Sequence, residues 1–255
     1  LSLIKPDEIY NLAAQSHVRI SFDIPQFTAQ TNALGVLNLL EAYRFNCPNA
    51  KFYQASSSEM YGNRKGIKNE TTPFIPRSAY GAAKVLGHNM TVNYREAYNI
   101  FACCGILFNH ESPLRGIEFV TRKISSEIAK IKFKKQDKLH LGNIYAKRDW
   151  GHARDYVEMC WKILQHKKAD DFVIATEKQY SVKFFIERCF KFLNIKIKWQ
   201  GKGLKEIARI IKFDKKKYPN LKLNQIIIRI SKKYFRPNEV NNLIGNTSKA
   251  KRIFK

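Results

Sequence analysis

Residues 100–108, IFACCGILF, form an apolar run with polar residues on both sides. An uninterrupted run of this length predicts a strand that is buried on both faces, as in a parallel sheet. Residues 78–99 before it predict a long helix, and residues 51–55 predict another strand. A strand, a helix and a second strand in this order indicate a βαβ unit.

The same alternation continues outward from this stretch. The further predicted elements are a short strand that runs into a loop over 7–14, helices over 31–45, 119–133 and 151–166, a strand over 172–175, and a helix that Ser181 caps and that ends at Leu193. Together these elements predict an α/β fold, a doubly wound parallel sheet of the Rossmann type, with a smaller α/β domain beside it.

A doubly wound dinucleotide fold also needs a Gly-rich first βα turn, whose backbone N–H groups bind the pyrophosphate. The sequence contains no such turn: Gly201 and Gly203 begin the pattern, but Glu206 occupies its last glycine position. We therefore expect a sheet that lacks its first strands. We also expect this chain to be inactive as an isolated piece.

Composition limits the classes of function. No stretch approaches the ~18 consecutive apolar residues that suggest a membrane span. The first ten residues lack the pattern of a signal peptide. The five cysteines are odd in number and form no C-x-x-C pair, which favours a cytoplasmic location and argues against disulfides or a metal site.

The formal net charge is +25, from 46 basic and 21 acidic residues. One interpretation is a basic nucleic-acid-binding protein or scaffold without catalysis. The lysines are scattered, however, and form no single stripe interleaved with aromatic residues. They accompany many Ile, Asn, Phe and Tyr residues, which AT-rich codons favour, so a compositional origin of the charge is preferred.

Tyr80 and Lys84, in the segment RSAYGAAK at residues 77–84, are spaced to lie on one face of a helix. An ammonium beside a phenol favours the phenolate, which makes the tyrosine usable as a base near neutral pH. The Y-x-x-x-K spacing alone is common by chance. Here Ser78 precedes it, and a Ser-rich strand end lies upstream.

That strand end is ASSSEMYG, residues 55–62. A serine cluster at this position could merely cap the next turn. As a catalytic element, it would supply a hydroxyl to a substrate oxygen and, from Glu59, a carboxylate that abstracts a proton. The two motifs together favour the catalytic interpretation.

The chain resembles the GDP-mannose 4,6-dehydratase family of extended short-chain dehydrogenases over essentially all its length. The resemblance is carried, in chain order, by YNLAAQSHV (10–18), ASSSEMYG (55–62), RSAYGAAK (77–84), TVNYRE (91–96), GILFNHESP (105–113), FVTRKI (119–124), RDWGHA (148–153) and YFRPNEV (234–240). Glu59 is decisive because similar sugar-nucleotide 4-epimerases lack it. Ser58 stands where dTDP-glucose dehydratases usually carry Asp.

The resemblance implies dehydration of GDP-mannose to GDP-4-dehydro-6-deoxymannose, the first step towards GDP-fucose and other GDP-deoxyhexoses, with NADP as cofactor. It implies that Tyr80 takes the proton of the sugar 4-hydroxyl, and that Lys84 favours the ionised tyrosine and touches the nicotinamide ribose. It also implies that Ser57 hydrogen-bonds the 4-keto oxygen. Glu59 would remove the C5 proton and help water to leave from C6.

Further positions follow from the resemblance alone. The implied cofactor contacts are Ala13, Ala14, Gln15, Ser16, His17, Phe27, His110 and Arg115, together with Tyr80 and Lys84. The implied substrate contacts are Asn109, Lys123, Arg148, Arg236 and Glu239, the cations for the diphosphate and Glu239 for the ribose.

The resemblance also implies domains and an assembly. The NADP-binding domain would comprise 1–108 and about 151–176, the substrate domain 109–150 and 177–255, and the full-length protein would form a homodimer or homotetramer. Leu114 and Phe27 depart from the family, which usually has a basic residue and often Tyr there. Another NAD(P)-dependent sugar-nucleotide epimerase, dehydratase or reductase is the alternative within the same class.

Overall fold

The computed structural model describes residues 1–133 and 135–254. In chain order the strands and helices are β1 Glu8–Asn11, α1 Pro25–Ala29, α2 Gly35–Asn46, β2 Lys51–Ser57, α3 Ala79–Tyr98, β3 Ala102–Leu107, β4 Asn109–Glu111, α4 Val120–Lys132, β5 Leu139–Leu141, β6 Lys147–His152, α5 Ala153–Gln165, β7 Asp171–Ile174, β8 Gln179–Ser181, α6 Val182–Phe192, β9 Lys196–Gln200, β10 Ile207–Lys212, β11 Ile226–Ile230 and α7 Ser248–Ile253.

The chain divides into two compact units. Unit 1 comprises Leu1–Ser112, Arg148–Gln179 and Val240–Lys255, and unit 2 comprises Pro113–Lys147 and Tyr180–Glu239. The sequence-based division placed 177–255 together in the substrate domain, whereas the structure groups 240–255 with unit 1. The reason is apolar packing, because Val240 and Leu243 are buried in one cluster with Ile106 of β3.

Unit 1 is built on a four-stranded parallel sheet in the order β1-β2-β3-β7. This confirms the Rossmann-type parallel sheet that the apolar run at 100–108 predicted. The run contains a glycine for a steric reason: a Cβ on Gly105 would lie 1.9 Å from the hydroxyl oxygen of the buried Tyr53 on β2. Glycine at this position leaves room for the Tyr53 side chain against β3.

Helix α3 begins and ends where local chemistry requires. The Ser78 hydroxyl accepts a hydrogen bond from the Gly81 N–H at 3.0 Å, and the helix ends at Asn99 in the left-handed conformation that Asn tolerates. The Arg95 guanidinium near its end binds both carboxylate oxygens of Asp171 at 2.9 and 3.0 Å. This pair ties the helix to β7.

The helix predicted over 31–45 has a different start. The structure has α1 first, with Pro25 at the position that favours proline, then a π-helical turn over Gln30–Leu34, and then α2. A π-helical turn shifts the helical register by one residue. The 3.6-residue spacing of apolar residues therefore predicted the later part of this helical segment and not α1.

Unit 2 contains a mixed four-stranded sheet in the order β5-β11-β10-β9, in which only β5 and β11 run parallel. The sequence analysis predicted none of these strands. Helices α4 and α6 pack together beside this sheet, and both were predicted. No helix among residues 1–133 and 135–254 is long and apolar enough to span a lipid bilayer.

Candidate active site

The residues of the two catalytic motifs meet at the carboxyl end of β2. This strand ends at Ser57, whose hydroxyl accepts a hydrogen bond from the Glu59 N–H at 3.2 Å and so starts the short 3₁₀ helix Ser58–Tyr61. Both side chains are buried. Since the Ser57 oxygen accepts from the backbone, its own O–H proton remains to be donated to an oxygen atom of a ligand.

The first turn of α3 lies directly against this 3₁₀ helix. A Cβ on Gly81 would lie 3.0 Å from the backbone oxygen of Glu59, which is closer than most side chains allow. Glycine at this position therefore lets the helix approach. Tyr80 precedes Gly81, so the structure brings the Tyr80 and Glu59 backbones together, as the two motifs predicted.

Lys84 is buried beside Tyr80. Its Nζ donates to the Ala55 carbonyl oxygen at 2.8 Å and lies 5.9 Å from the centroid of the Tyr80 ring. Burial disfavours the charged amine and lowers the pKa of Lys84 to about 8. A buried ammonium interacts more strongly with a neighbouring phenol than a solvated one does.

Arg148 also belongs to this cluster. It lies on β6, is buried, and places its Nη2 3.8 Å from the Glu59 carboxylate. The sequence analysis placed Arg148 against a substrate diphosphate, and the structure puts its guanidinium next to the carboxylate that would remove the C5 proton. The backbone next to Arg148 is held in place by Asp149. This fully buried residue accepts hydrogen bonds from the Thr176 and Glu177 N–H groups at 2.8 and 3.0 Å.

The loop after β1, with Ala13, Ala14, Gln15, Ser16 and His17, is held by a residue that sequence reasoning missed. The fully buried Asn32, in the π-helical turn, accepts from the Gln15 N–H at 2.7 Å and donates to the Gln15 carbonyl at 2.9 Å. His17 Nδ1 accepts from the Ile20 N–H at 3.2 Å and so caps the next turn. A polar side chain on the apolar face of the predicted 31–45 helix was the signal that could have identified Asn32.

His110 lies at the carboxyl end of β3, on the short strand β4. Its Nδ1 lies 2.9 Å from the Phe108 carbonyl oxygen and therefore carries the proton, and its ring centroid lies 5.0 Å from that of Tyr156. The neighbouring Asn109 is half-buried and is paired in register with Trp150 of β6. Both predicted positions thus lie at the strand end where a ligand of such a sheet binds.

Three predicted positions lie outside these groups of residues. Phe27 is 55% exposed on α1 in unit 1. In unit 2, the Arg115 guanidinium lies 3.7 Å from the centroid of the Phe119 ring, and Lys123 Nζ lies 3.5 Å from that of Tyr234.

Two positions that the sequence analysis assigned to different parts of one nucleotide pair with each other. Arg236 Nη1 lies 3.5 Å from Glu239 Oε1. This arrangement presents a cation and a carboxylate from one turn of chain.

One group of side chains in unit 1 has donor atoms close enough for a metal ion. Single donor atoms of His88, Cys104 and Asp171 lie within 4.8 Å of one another. Both Asp171 oxygens are bound by Arg95, however, and His88 Nδ1 lies 3.0 Å from the Ser56 hydroxyl. A cation already neutralises the carboxylate, so the group serves as a hydrogen-bonded core cluster.

A family model described as GDP-mannose 4,6 dehydratase matches residues 1–255. The chain belongs to the GDP-mannose 4,6-dehydratase family. It is 53% identical over 251 residues to the GDP-mannose 4,6-dehydratase of Yersinia enterocolitica serotype O:8, covering 97% of this chain and 68% of that protein. It is 49% identical over 259 residues to GDP-mannose 4,6 dehydratase 2 of Caenorhabditis elegans, covering 99% of this chain and 64% of that protein. The chain thus spans about two thirds of the length of such family members.

Solved structures of low sequence identity share the fold. RMD from Pseudomonas aeruginosa, complexed with NADPH, superposes with a TM-score of 0.78 at 20% identity, over 98% of this chain and 75% of that one. DesIV, a dTDP-glucose 4,6-dehydratase from Streptomyces venezuelae with NAD and TYD bound, gives 0.75 at 18% identity, over 96% and 66%. These likenesses agree with the Rossmann-type sheet of this family member.

Proposed function

We propose that the protein converts GDP-mannose to GDP-4-dehydro-6-deoxymannose by intramolecular oxidation, loss of water and reduction. The observation that carries the proposal is that the first turn of α3, which contains Tyr80, lies close to the turn after β2, which contains Glu59. A Cβ on Gly81 would lie 3.0 Å from the backbone oxygen of Glu59. The reaction needs these two residues in one pocket, because the C5 proton becomes acidic only after C4 has become a carbonyl.

Each residue has a distinct task in this proposal. Tyr80 removes the 4-hydroxyl proton, and Lys84 stabilises the resulting charge. Ser57 donates its O–H to the developing 4-keto oxygen. Glu59 abstracts the C5 proton and delivers a proton to the leaving C6 oxygen, so that water departs.

The cofactor we propose is NADP, which would supply reversible hydride transfer between C4 and C6 of the sugar and would not be consumed. The donors that fit its nicotinamide half are Lys84, the loop after β1 and His110. NADPH in RMD and NAD in DesIV support a nicotinamide cofactor, and the choice of NADP rests on the family. The 255 residues contain no Gly-rich βα turn for the pyrophosphate, so we propose that this chain alone binds NADP too weakly to give heat in micromolar calorimetric titrations.

We propose that Asn109, Arg148, Lys123, Arg236 and Glu239 recognise the GDP part of the substrate. Arginine suits a diphosphate because its planar guanidinium binds two oxygens at once. We also propose a cytoplasmic homo-oligomer, in keeping with free cysteines at all five positions of the described residues.

Isotope transfer tests the proposal. With GDP-mannose deuterated at C4, the full-length protein should give a product that carries the deuterium at C6. In D₂O, unlabelled substrate should take up one solvent deuterium at C5. An epimerase would instead return the deuterium to C4 and release no water, and that result would reject the dehydratase assignment.

A further inference from the structure

A buried chain of side-chain amides joins the loop after β1 to Lys84. The Ala13 N–H donates to Asn11 Oδ1 at 3.3 Å, and Asn11 Nδ2 donates to Gln54 Oε1 at 2.8 Å. Gln54 Nε2 then donates to the Ala55 carbonyl oxygen at 3.2 Å, the same oxygen that accepts from Lys84 Nζ at 2.8 Å. Gln54 is only 1% exposed, so its own hydrogen bonds are buried, whereas the bond of the Ala13 N–H is part-buried.

The chemistry of the two ends fixes the direction of every bond in this chain. A backbone N–H only donates, so Asn11 must present its oxygen to Ala13 and its NH₂ group to Gln54. A backbone carbonyl only accepts, so Gln54 must present its NH₂ group to Ala55. The two amide orientations therefore support each other, and neither side chain could flip without opposing two acceptors or two donors.

The strand register explains why the Ala55 carbonyl takes donors from side chains. The pairing of β1 with β2 ends at Asn11 and Gln54, one residue before Ala55. Where β1 leaves the ladder, a buried carbonyl needs another donor, since an unpaired one is costly. Gln54 and Lys84 are the donors found there.

We propose that Gln54 is a positioning residue of the dehydratase centre, because it holds the carbonyl that anchors Lys84 and, through Asn11, the loop after β1. The inference rests on the proposed function for the meaning of those two ends as cofactor contacts. Gln54 touches neither substrate nor cofactor in this proposal. Gln54 connects Lys84 to the loop after β1, so its loss should weaken the positioning of both.

The sequence offers a specific spectroscopic probe of this carbonyl. Ala55-Ser56 is the only Ala-Ser step in the chain, so ¹³C′-alanine with ¹⁵N-serine labelling gives one cross-peak, that of Ala55 and Ser56. Gln54→Met keeps the length of the side chain but removes both of its hydrogen bonds. We expect the Ala55 ¹³C′ signal to move upfield, and the Ala13 amide to exchange about three- to tenfold faster, as for one lost hydrogen bond.

Two further variants separate this role from a general loss of packing. Tyr53→Phe changes a buried side chain on the same strand without touching the amide chain, so it should leave the Ala13 exchange rate unchanged. Gln54→Glu keeps the acceptor for Asn11 but cannot donate to Ala55 at neutral pH. It should move the Ala55 signal and keep Ala13 protected, and it serves as the main test if Gln54→Met does not fold.

These measurements need neither substrate nor cofactor, so they stand apart from the proposed function. An unmoved Ala55 signal, or an Ala13 amide as protected in Gln54→Met as in the wild type, would overturn the inference. In the full-length protein, Gln54→Met should raise the Kd for NADP several-fold and leave that for GDP unchanged. Equal effects on both ligands would reduce Gln54 to a structural role, whereas a wild type that binds no nicotinamide cofactor would contradict the proposed function instead.

Discussion

Unit 1 and unit 2 bury their sheets in different ways. In unit 1 the parallel strand β3 is buried almost throughout, and in unit 2 the strand β9 alternates between exposed and half-buried residues. Ser57 lies at the carboxyl end of β2, and the loop with residues 13–17 follows β1. The proposed catalytic residues therefore lie in the unit whose central strands, β2 and β3, are buried on both faces.

The two units also differ in charge. Unit 1 contains 20 basic and 14 acidic residues, and unit 2 contains 26 basic and 7 acidic ones. Most of the net charge of +25 therefore belongs to unit 2, whereas the proposed catalytic residues lie in unit 1. These are Ser57, Glu59, Tyr80 and Lys84. We expect catalysis and tight packing to be properties of unit 1, and the basic surface to be a property of unit 2.

The largest effect is expected from Tyr80→Phe in unit 1. Without the phenol, the 4-hydroxyl proton has no base, so product formation by the full-length protein should fall by about 10²- to 10⁴-fold. Tyr98→Phe changes an exposed tyrosine of the same helix and is the matched control. Steady-state rates with GDP-mannose decide, and equal rates for the two variants would remove Tyr80 from the chemistry.

The next largest effect concerns packing within unit 1. Arg95→Met leaves the mostly buried Asp171 without its bidentate partner, so the free energy of unfolding should fall by about 3–5 kcal/mol. Lys162→Met breaks only the exposed pair with Glu158 and should cost less than about 0.5 kcal/mol. Urea titrations at neutral pH compare the two, and a similar cost for both would show that the pair does not hold α3 to β7.

A smaller effect is the pH dependence that burial of Lys84 creates. Its pKa is about 8 in the folded protein and 10.5 as its ordinary value, so between these pH values the unfolded chain binds the extra proton. Stability relative to Lys84→Met should therefore rise by about 3 kcal/mol from pH 8 to pH 10.5. Urea titrations across this range provide the measurement, and parallel curves for the two proteins would mean that the amine is hydrated.

The smallest effect is expected from the basic surface of unit 2. If its charge is compositional, binding to random duplex DNA should be weak and unselective, and should fade as salt approaches ~150 mM. Filter binding at two salt concentrations tests this. Tight, sequence-selective binding at the higher concentration would favour the nucleic-acid interpretation.

The sequence predicted unit 1 better than unit 2 for a physical reason. An uninterrupted apolar run such as 100–108 has one stable location, the centre of a covered parallel sheet. Strands β9 and β10 are rich in lysine, arginine and isoleucine, with irregular pairing near Ala208 and Ile210, and their pattern did not separate strand from loop.

The sequence predicted those residues of the candidate site that lie in local motifs. The motifs that contain Tyr80 and Glu59 are each a continuous segment of sequence, and the order of strands and helices predicts that they lie close together. Asn32 and Gln54 were missed, because Asn32 bonds the backbone of Gln15 and Gln54 bonds the side chain of Asn11, each in another segment, and no local pattern records such a contact. The pairing of Arg236 with Glu239 likewise depends on side-chain conformation rather than on spacing.

Glu59 is proposed to act after Tyr80 in one pocket of unit 1, and Glu59→Gln separates these two steps. Under single-turnover conditions with GDP-mannose, the full-length variant should still oxidise C4, so absorbance of the reduced cofactor should appear and persist. No 4-keto-6-deoxy product should form, because the C5 proton is not removed. Normal product formation by this variant would contradict the account.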